Sequence, residues 1–327
     1  MRIALSGSIA TDHLMVFPGR FSDQLVADRL DHVSLSFLAD SLDIRRGGVA
    51  ANIAYGLGLL GLAPVLIGAV GPDFAEYAVR LKEHGVDTDA VHVSADHHTA
   101  RFVCTTDADH NQIATFYAGA MAEARNIALE PIAQRVGGLD LVLVSPNDPQ
   151  AMLNHTSEAR RLGIPFAADP SQQLARLDRD QVRTLVDGAR WLFTNAYESA
   201  LLQERTGWTE AQVLDRTGLW VSTLGESGSH IRRTGAATLH VPAVPSPAAV
   251  DPTGVGDAFR AGFLAATARG LDPEQAARLG SALATTALEC VGTQEYGLDR
   301  GALLSRLAAT YGPAAAQGIE TALPGPR

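Results

Sequence analysis

The sequence predicts an α/β fold: a doubly wound, mostly parallel sheet flanked by helices, with a small β-sheet lid. Three observations point there. Short apolar runs rich in β-branched residues alternate with longer amphipathic segments. The runs are apolar at nearly every position, as in strands buried on both faces. Two further segments break the alternation and read as an added β layer.

In chain order, residues 3–6, 65–70, 139–144, 165–168, 191–194 and 219–223 read as strands. Residues 49–60, 74–84, 148–162, 178–188 and 196–206 read as the helices between them. After Gly225 the pattern changes to a hairpin, 229–233 with 238–241, and then to helices at 256–269, 273–290 and 299–311. The tail 312–327 is rich in Ala, Gly and Pro and is expected to fray at its end. The first break covers 14–42, with strand-like pieces such as 33–38. The second covers 99–118, where runs 100–106 and 112–118 flank the polar turn 107–111. A turn symmetric about Asp109 sets Phe102 opposite Phe116, Cys104 opposite Ala114 and Thr106 opposite Gln112. The expected α/β core is therefore 1–13, 43–98 and 119–327, and the lid is 14–42 and 99–118.

Composition narrows the function. The 327 residues are 46 % hydrophobic and 19 % charged, enough apolar material for a large core and incompatible with general disorder. A net charge of −10 argues against a protein that coats nucleic acid. It says little about small phosphorylated ligands, which meet a pocket and not the net charge. Cys104 and Cys290 have no metal-ligand spacing, so neither a disulfide scaffold nor a zinc module is expected. The stretch 51–71 has the length of a membrane span, but Asn52, five glycines and Pro64 make it a helix, a turn and a strand. A soluble cytoplasmic protein is expected, without a nucleic-acid or membrane partner.

The strongest motif is Asp251-Pro252-Thr253-Gly254-Val255-Gly256-Asp257, which runs directly into a helix. Gly254 and Gly256 let the chain turn tightly, so successive N–H groups at the helix start face one space. Unpaired amides at the positive end of a helix cradle an anion. A carboxylate beside that cradle makes sense if it takes a proton from an attacking hydroxyl, although a capped turn would also contain an aspartate. Arg46-Gly47-Gly48-Val49-Ala50-Ala51-Asn52 opens the first long helix. Its paired glycines allow a ligand close to the backbone, and Asn52 lies one turn inside; a plain helix start would look the same. Asn195 and Glu198, three apart after a strand, suit phosphate or water-mediated Mg²⁺ positioning, and helix capping accounts for them equally.

Together these motifs resemble the ribokinase (PfkB-type) family of carbohydrate and nucleoside kinases, from Gly7 through Gly292. The resemblance implies ATP-dependent phosphorylation of a CH₂OH group, with Asp257 as base and Gly254, Val255 and Gly256 as the anion hole. It implies Mg²⁺ held through water by Glu198, and ATP near Asn195, Thr223, Gly225, Gly228 and Gly256. Family members often use K⁺ near the anion-hole loop, which points to Asp251 and Thr253. Lids in the family often pair between subunits, so a homodimer through the lid is expected.

For the acceptor, Asp12 in Ser8-Ile9-Ala10-Thr11-Asp12 can accept hydrogen bonds from vicinal ribose hydroxyls, with Ser8, Gly48 and Asn52 completing a polyol site. A solvated Asp12 is the alternative. Stretches 7–15, 166–177, 251–262 and 292–295 look like the adenosine kinases of actinobacterial (mycobacterial) type. Phe102 and Phe116 on one lid face could flank a purine, or serve packing or a dimer. Gln172 and Gln173 offer amides to a base edge or ribose, and Ser36 is a contact by resemblance alone. The expected reaction is transfer of the ATP γ-phosphoryl group to the 5′-hydroxyl of adenosine. A sugar kinase acting on ribose and a catalytically silent homologue are the alternatives. Gly56-Leu57-Gly58-Leu59-Leu60-Gly61 matches a dinucleotide fingerprint but ends a helix, so helix termination and close packing explain it better. Arg232-Arg233 reads as a solvent face.

Overall fold

Strand β1 (Ile3–Ser6) lies inside the main sheet of the computed structural model, which describes residues 1–25, 34–321 and 323–325. The other strands follow in order: β2 (Ala10–Val16), β3 (Ser41–Gly47), β4 (Val65–Val70), β5 (Val91–Val93), β6 (Ala100–Thr106) and β7 (Gln112–Tyr117). Then come β8 (Leu141–Val144), β9 (Phe166–Ala168), β10 (Trp191–Asn195), β11 (Leu219–Thr223), β12 (Ser229–Arg232) and β13 (Leu239–Val241). Nine of them form one sheet in the order β13-β12-β11-β10-β9-β8-β1-β4-β5, parallel from β11 to β5. Only the β11-β12-β13 edge is antiparallel.

The apolar runs are continuous because both faces of this sheet are covered. Along β1, Ile3 and Leu5 join the core beneath helices Val49–Leu59, Val255–Ala268 and Pro273–Leu288. Ala4 points the other way, into the core beneath Pro149–Arg161, Arg179–Val186 and Ala196–Thr206. The chain leaves β1 for β4 and β5 on one side, then returns to β8 on the other. That reversal opens a crevice at the carboxyl ends of the strands, where α/β folds bind ligands.

A second, four-stranded sheet has the order β3-β2-β6-β7. Its hairpin keeps the expected register, with Phe102 opposite Phe116, Cys104 opposite Ala114 and Thr106 opposite Gln112. Asp107 organises the turn by accepting from the N–H groups of Asp109 and Asn111, and from that of Phe21. Strands β2 and β3 run across the expected boundaries at 13–14 and 42–43. The expected strand 33–38 does not form: Val33 lies outside the described residues, and 34–39 is irregular. Phe37 there leaves any strand pattern to pack against Phe17 and Phe21. The tail forms a helix, Pro313–Glu320, because Ala315, Ala316 and Ile319 have core to bury against. Arg232 is also not on a solvent face: it lies over the Trp220 ring and pairs with Glu210. Among the described residues no helix is long and apolar enough to cross a membrane.

Gly56 and Gly58 serve close packing. A Cβ on Gly58 would lie 2.0 Å from the His84 carbonyl oxygen, and one on Gly56 would lie 2.6 Å from the Ala261 methyl. An ordinary helical Gly→Ala change stabilises by about 1 kcal/mol. Gly58→Ala should instead destabilise by roughly 2 kcal/mol or more through backbone overlap. A urea unfolding midpoint equal to or above that of the wild type would contradict this packing role.

Candidate active site

Helix Val255–Ala268 starts at Gly254, whose φ of 77° is left-handed and suits glycine. The Ala258 N–H returns to Gly254 O at 2.9 Å, and the Val255 N–H reaches Pro252 O only loosely, at 3.4 Å. Among the described residues, the N–H groups of Gly254, Gly256 and Asp257 meet no acceptor. The open N–H groups therefore include Gly254 and Gly256 of the expected Gly254, Val255 and Gly256, and Asp257 adds a further one. Asp251 shapes the loop before them, accepting from the N–H groups of Thr253 and Gly292, each at 2.9 Å, and facing Arg45 at 3.5 Å. These contacts hold its carboxyl below the usual range.

Asp257 sits in the first turn and is held from the facing helix, where Asn52 Nδ2 donates to its Oδ2 at 2.8 Å. The orientation of that amide is fixed from behind, because Asn52 Oδ1 accepts from Thr293 Oγ1 and Gln294 Nε2 at 2.9 and 2.8 Å. Asn52 therefore positions the carboxylate as well as lying near the expected polyol site. Gly48, at φ 94°, passes so close to the first β1–β2 connection that a Cβ would lie 2.6 Å from Ser8 O. The Ser8 hydroxyl caps the same helix by accepting from Val49 N at 3.0 Å.

A cavity of about 510 Å³ opens beside Asp257 at the strand ends. Its wall brings together Asn195, Glu198, Thr223, Gly225, Gly256 and Asp257, all expected from the sequence, and adds Asp169 and Arg260, which the sequence reading assigned no role. Asn195 and Glu198 form a reciprocal capping box, so the capping explanation holds. Glu198 Oε1 is still turned to the Ser171 hydroxyl at 3.1 Å. Ser171 itself has φ of 43°, a strained value for a non-glycine residue beside the cavity. Thr223 pairs with Asn195 across β10 and β11, and the Gly225–Gly228 turn closes with Leu224 N on Gly228 O at 2.8 Å. Arg260 donates to Asp169 Oδ1 at 2.7 Å and to Gly256 O at 3.0 Å. Burial raises Asp257 to about 7, aided by the Asp169 and Glu198 charges and opposed by Arg260 and the Asn52 bond.

The acceptor candidates lie on the second sheet, outside this cavity. Register places Arg45, Asp12, Phe102 and Phe116 in one cross-strand row on one face. Burial raises Asp12 to about 6, opposed by Arg45 and aided by Asp251. Gln173 is buried and donates to Asn147 O at 2.7 Å, so its amide nitrogen is committed to the fold. Gln172 and Ser36 are exposed, the latter on irregular chain. Asp169 and Arg260 are 91 positions apart, and only folding brings them together. The one hint was a lone arginine in the second turn of a helix whose start is built for anions.

A doubly wound sheet whose strand ends surround a helix-start anion site and a buried carboxylate defines a nucleotide-dependent phosphotransferase. The chain belongs to the pfkB family of carbohydrate kinases, whose model matches residues 9–299. It is an ATP-dependent kinase of carbohydrates or nucleosides. A nucleoside kinase of Methanothermobacter thermautotrophicus is 35 % identical over 81 % of this chain and 85 % of that protein. The Burkholderia thailandensis nucleoside kinase in complex with inosine superposes with a TM-score of 0.82 at 34 % identity, covering 95 % and 98 % of the two chains. A Bacillus subtilis ribokinase is 27 % identical over 83 % of this chain and 90 % of that enzyme.

The raised Asp257 carboxyl has a consequence for stability. Between pH 4 and 7 the folded chain holds a proton there that the unfolded chain has released, so this group makes stability fall as pH rises through that window. Asp257→Asn should therefore be more stable than wild type at pH 8, by about 1–3 kcal/mol, with the gain shrinking toward pH 5. Urea midpoints that differ equally at both pH values would contradict the burial of this carboxyl.

Proposed function

We propose that the chain phosphorylates the 5′-hydroxyl of a purine nucleoside, adenosine first, giving AMP and ADP, a step of purine salvage. The observation that carries the acceptor class is the Asp12–Phe102–Phe116 row. Two strand spacings separate Asp12 from Phe116, roughly 10 Å, which is the reach from ribose hydroxyls to the far side of a base. A free sugar would satisfy Asp12 and leave both phenylalanine rings uncovered. The similarity to nucleoside kinases, one of them holding inosine, supports the same reading.

In this mechanism Asp12 and the Gly48 backbone hold the ribose, and the second sheet closes as a lid that keeps water from the γ-phosphoryl group. Asp257, aimed by Asn52, takes the 5′-hydroxyl proton as the oxygen attacks phosphorus in line. The free Gly256 and Asp257 N–H groups stabilise the transferring phosphoryl oxygens. Three carboxylates, Asp169, Glu198 and Asp257, outnumber one arginine around the cavity, so polyphosphate needs an added cation. The residues fit Mg²⁺, held through water by Glu198, and magnesium supplies charge neutralisation between the phosphates when bound. A homodimer is proposed through the outer face of the second sheet, where Leu42, Ile44, Ile113 and Tyr117 are exposed on one side.

Asp257→Asn should lower kcat roughly 10²–10⁴-fold while leaving the KM for ATP within about 3-fold. Near-normal turnover would sink the base assignment. In an ADP-release assay against adenosine, inosine, cytidine, ribose and fructose, purine nucleosides should give the highest kcat/KM. Phe116→Ala should raise the adenosine KM by about 10-fold, the scale of one lost aromatic contact. Preferred phosphorylation of ribose, unaffected by Phe116→Ala, would establish a sugar kinase instead.

A further inference from the structure

Among the described residues lining the cavity, Arg260 is the one cation. Its position conflicts with helix electrostatics. The side chain arises in the second turn of Val255–Ala268 and folds back toward the helix's own N-terminus, where the backbone carries partial positive charge. The guanidinium is buried, as is its partner Asp169, which is 1 % exposed. Neither group is fully satisfied: Arg260 Nε and Asp169 Oδ2 are buried without a hydrogen-bond partner. A buried ion pair generally stabilises a fold no better than apolar side chains of the same size, so packing alone gives no reason for it.

What Arg260 touches supplies the reason. Its Nη1 donates to the Gly256 carbonyl at 3.0 Å, and that carbonyl shares its peptide with the Asp257 N–H. Gripping one end of a planar peptide aims the other end, and a cation on the carbonyl polarises the N–H into a stronger donor. A Cβ on Gly256 would lie 2.9 Å from Arg260 Nη1, so a side chain there would push the guanidinium off this carbonyl. The same guanidinium is the positive charge that opposes the burial of Asp257. The other groups facing Asp257 are the Asp169 and Glu198 carboxylates, the Asn52 amide and the Tyr296 hydroxyl, and none of these is a cation.

We propose that Arg260, oriented by Asp169, is a positioning residue for phosphoryl transfer: it aims the anion-hole peptide through Gly256 O and supplies the positive charge beside the base. This rests on Asp257 being the base. Arginine does both jobs at once because its fork reaches two acceptors, the Asp169 carboxylate and the Gly256 carbonyl. Lysine would retain the charge and lose the fork, and methionine would lose both.

The test is the pH dependence of kcat from pH 5 to 9 for wild type, Arg260→Met, Arg260→Lys and the double variant Asp169→Asn/Arg260→Met, with adenosine and ATP saturating. Arg260→Met should move the acid limb up by at least about one pH unit and lower kcat at pH 7 about 100-fold, with the adenosine KM within about 3-fold. Arg260→Lys should leave the limb in place and lower the plateau about 10-fold. The double variant removes both buried charges, which protects its fold, and its limb should lie below that of Arg260→Met because one negative neighbour is gone. Limbs superimposable on wild type in both Arg260→Met and the double variant would overturn the inference. Asp257→Asn in the same assay separates the two ideas: if it is inactive while the limbs stay fixed, only the role of Arg260 falls. If it retains turnover, the base assignment falls and this inference with it.

Discussion

The proposed chemistry depends on the first turn of helix Val255–Ala268, which would offer free N–H groups to an anion and a carboxylate to a proton in the same small space. The two demands oppose each other. A helix N-terminus stabilises a negative charge and so weakens a carboxylate as a base. Burial and the nearby Asp169 and Glu198 push the other way, and Asp257 ends near 7. Asn52 and Arg260 hold the balance from two sides, one bonded to the carboxylate and one to the adjoining peptide.

The second sheet is tied to that turn by more than proximity. Arg45 on β3 faces Asp251, whose other bonds set the loop that begins the anion hole. Thr293 donates to Arg46 O and to Asn52 Oδ1, joining the same strand to the amide that aims Asp257. The second sheet is thus joined by direct contacts to both the loop before Gly254 and the amide bonded to Asp257. The Gly47–Gly48 step between β3 and helix Val49–Leu59 is where the two halves meet.

The parallel core was legible because burial on both faces leaves an unmistakable run of apolar residues, and β1, β4 and β11 begin and end where the sequence puts them. The β6–β7 register was legible because a polar turn and period-two alternation fix it. Strands β2 and β3 were not. Their inward residues include Asp12, Asp43 and Arg45, while Leu42 and Ile44 point outward and are exposed, an inversion of the usual pattern. Local sequence placed Asp257 and its glycines together, since one loop carries them all. It could not show that Asp169 and Arg260 meet, because nothing near either residue encodes the contact.

The most direct measurement is the identity of the phosphorylated product. After incubation with ATP, Mg²⁺ and adenosine, phosphorus–proton correlated NMR should show one new phosphate ester on the 5′ oxygen, formed in equal amount to ADP. Both should form at least about 100-fold more slowly with Asp257→Asn. ADP formed without a nucleoside ester, or an ester on a 2′ or 3′ oxygen, would contradict an acceptor held by Asp12 with its 5′-hydroxyl against Asp257.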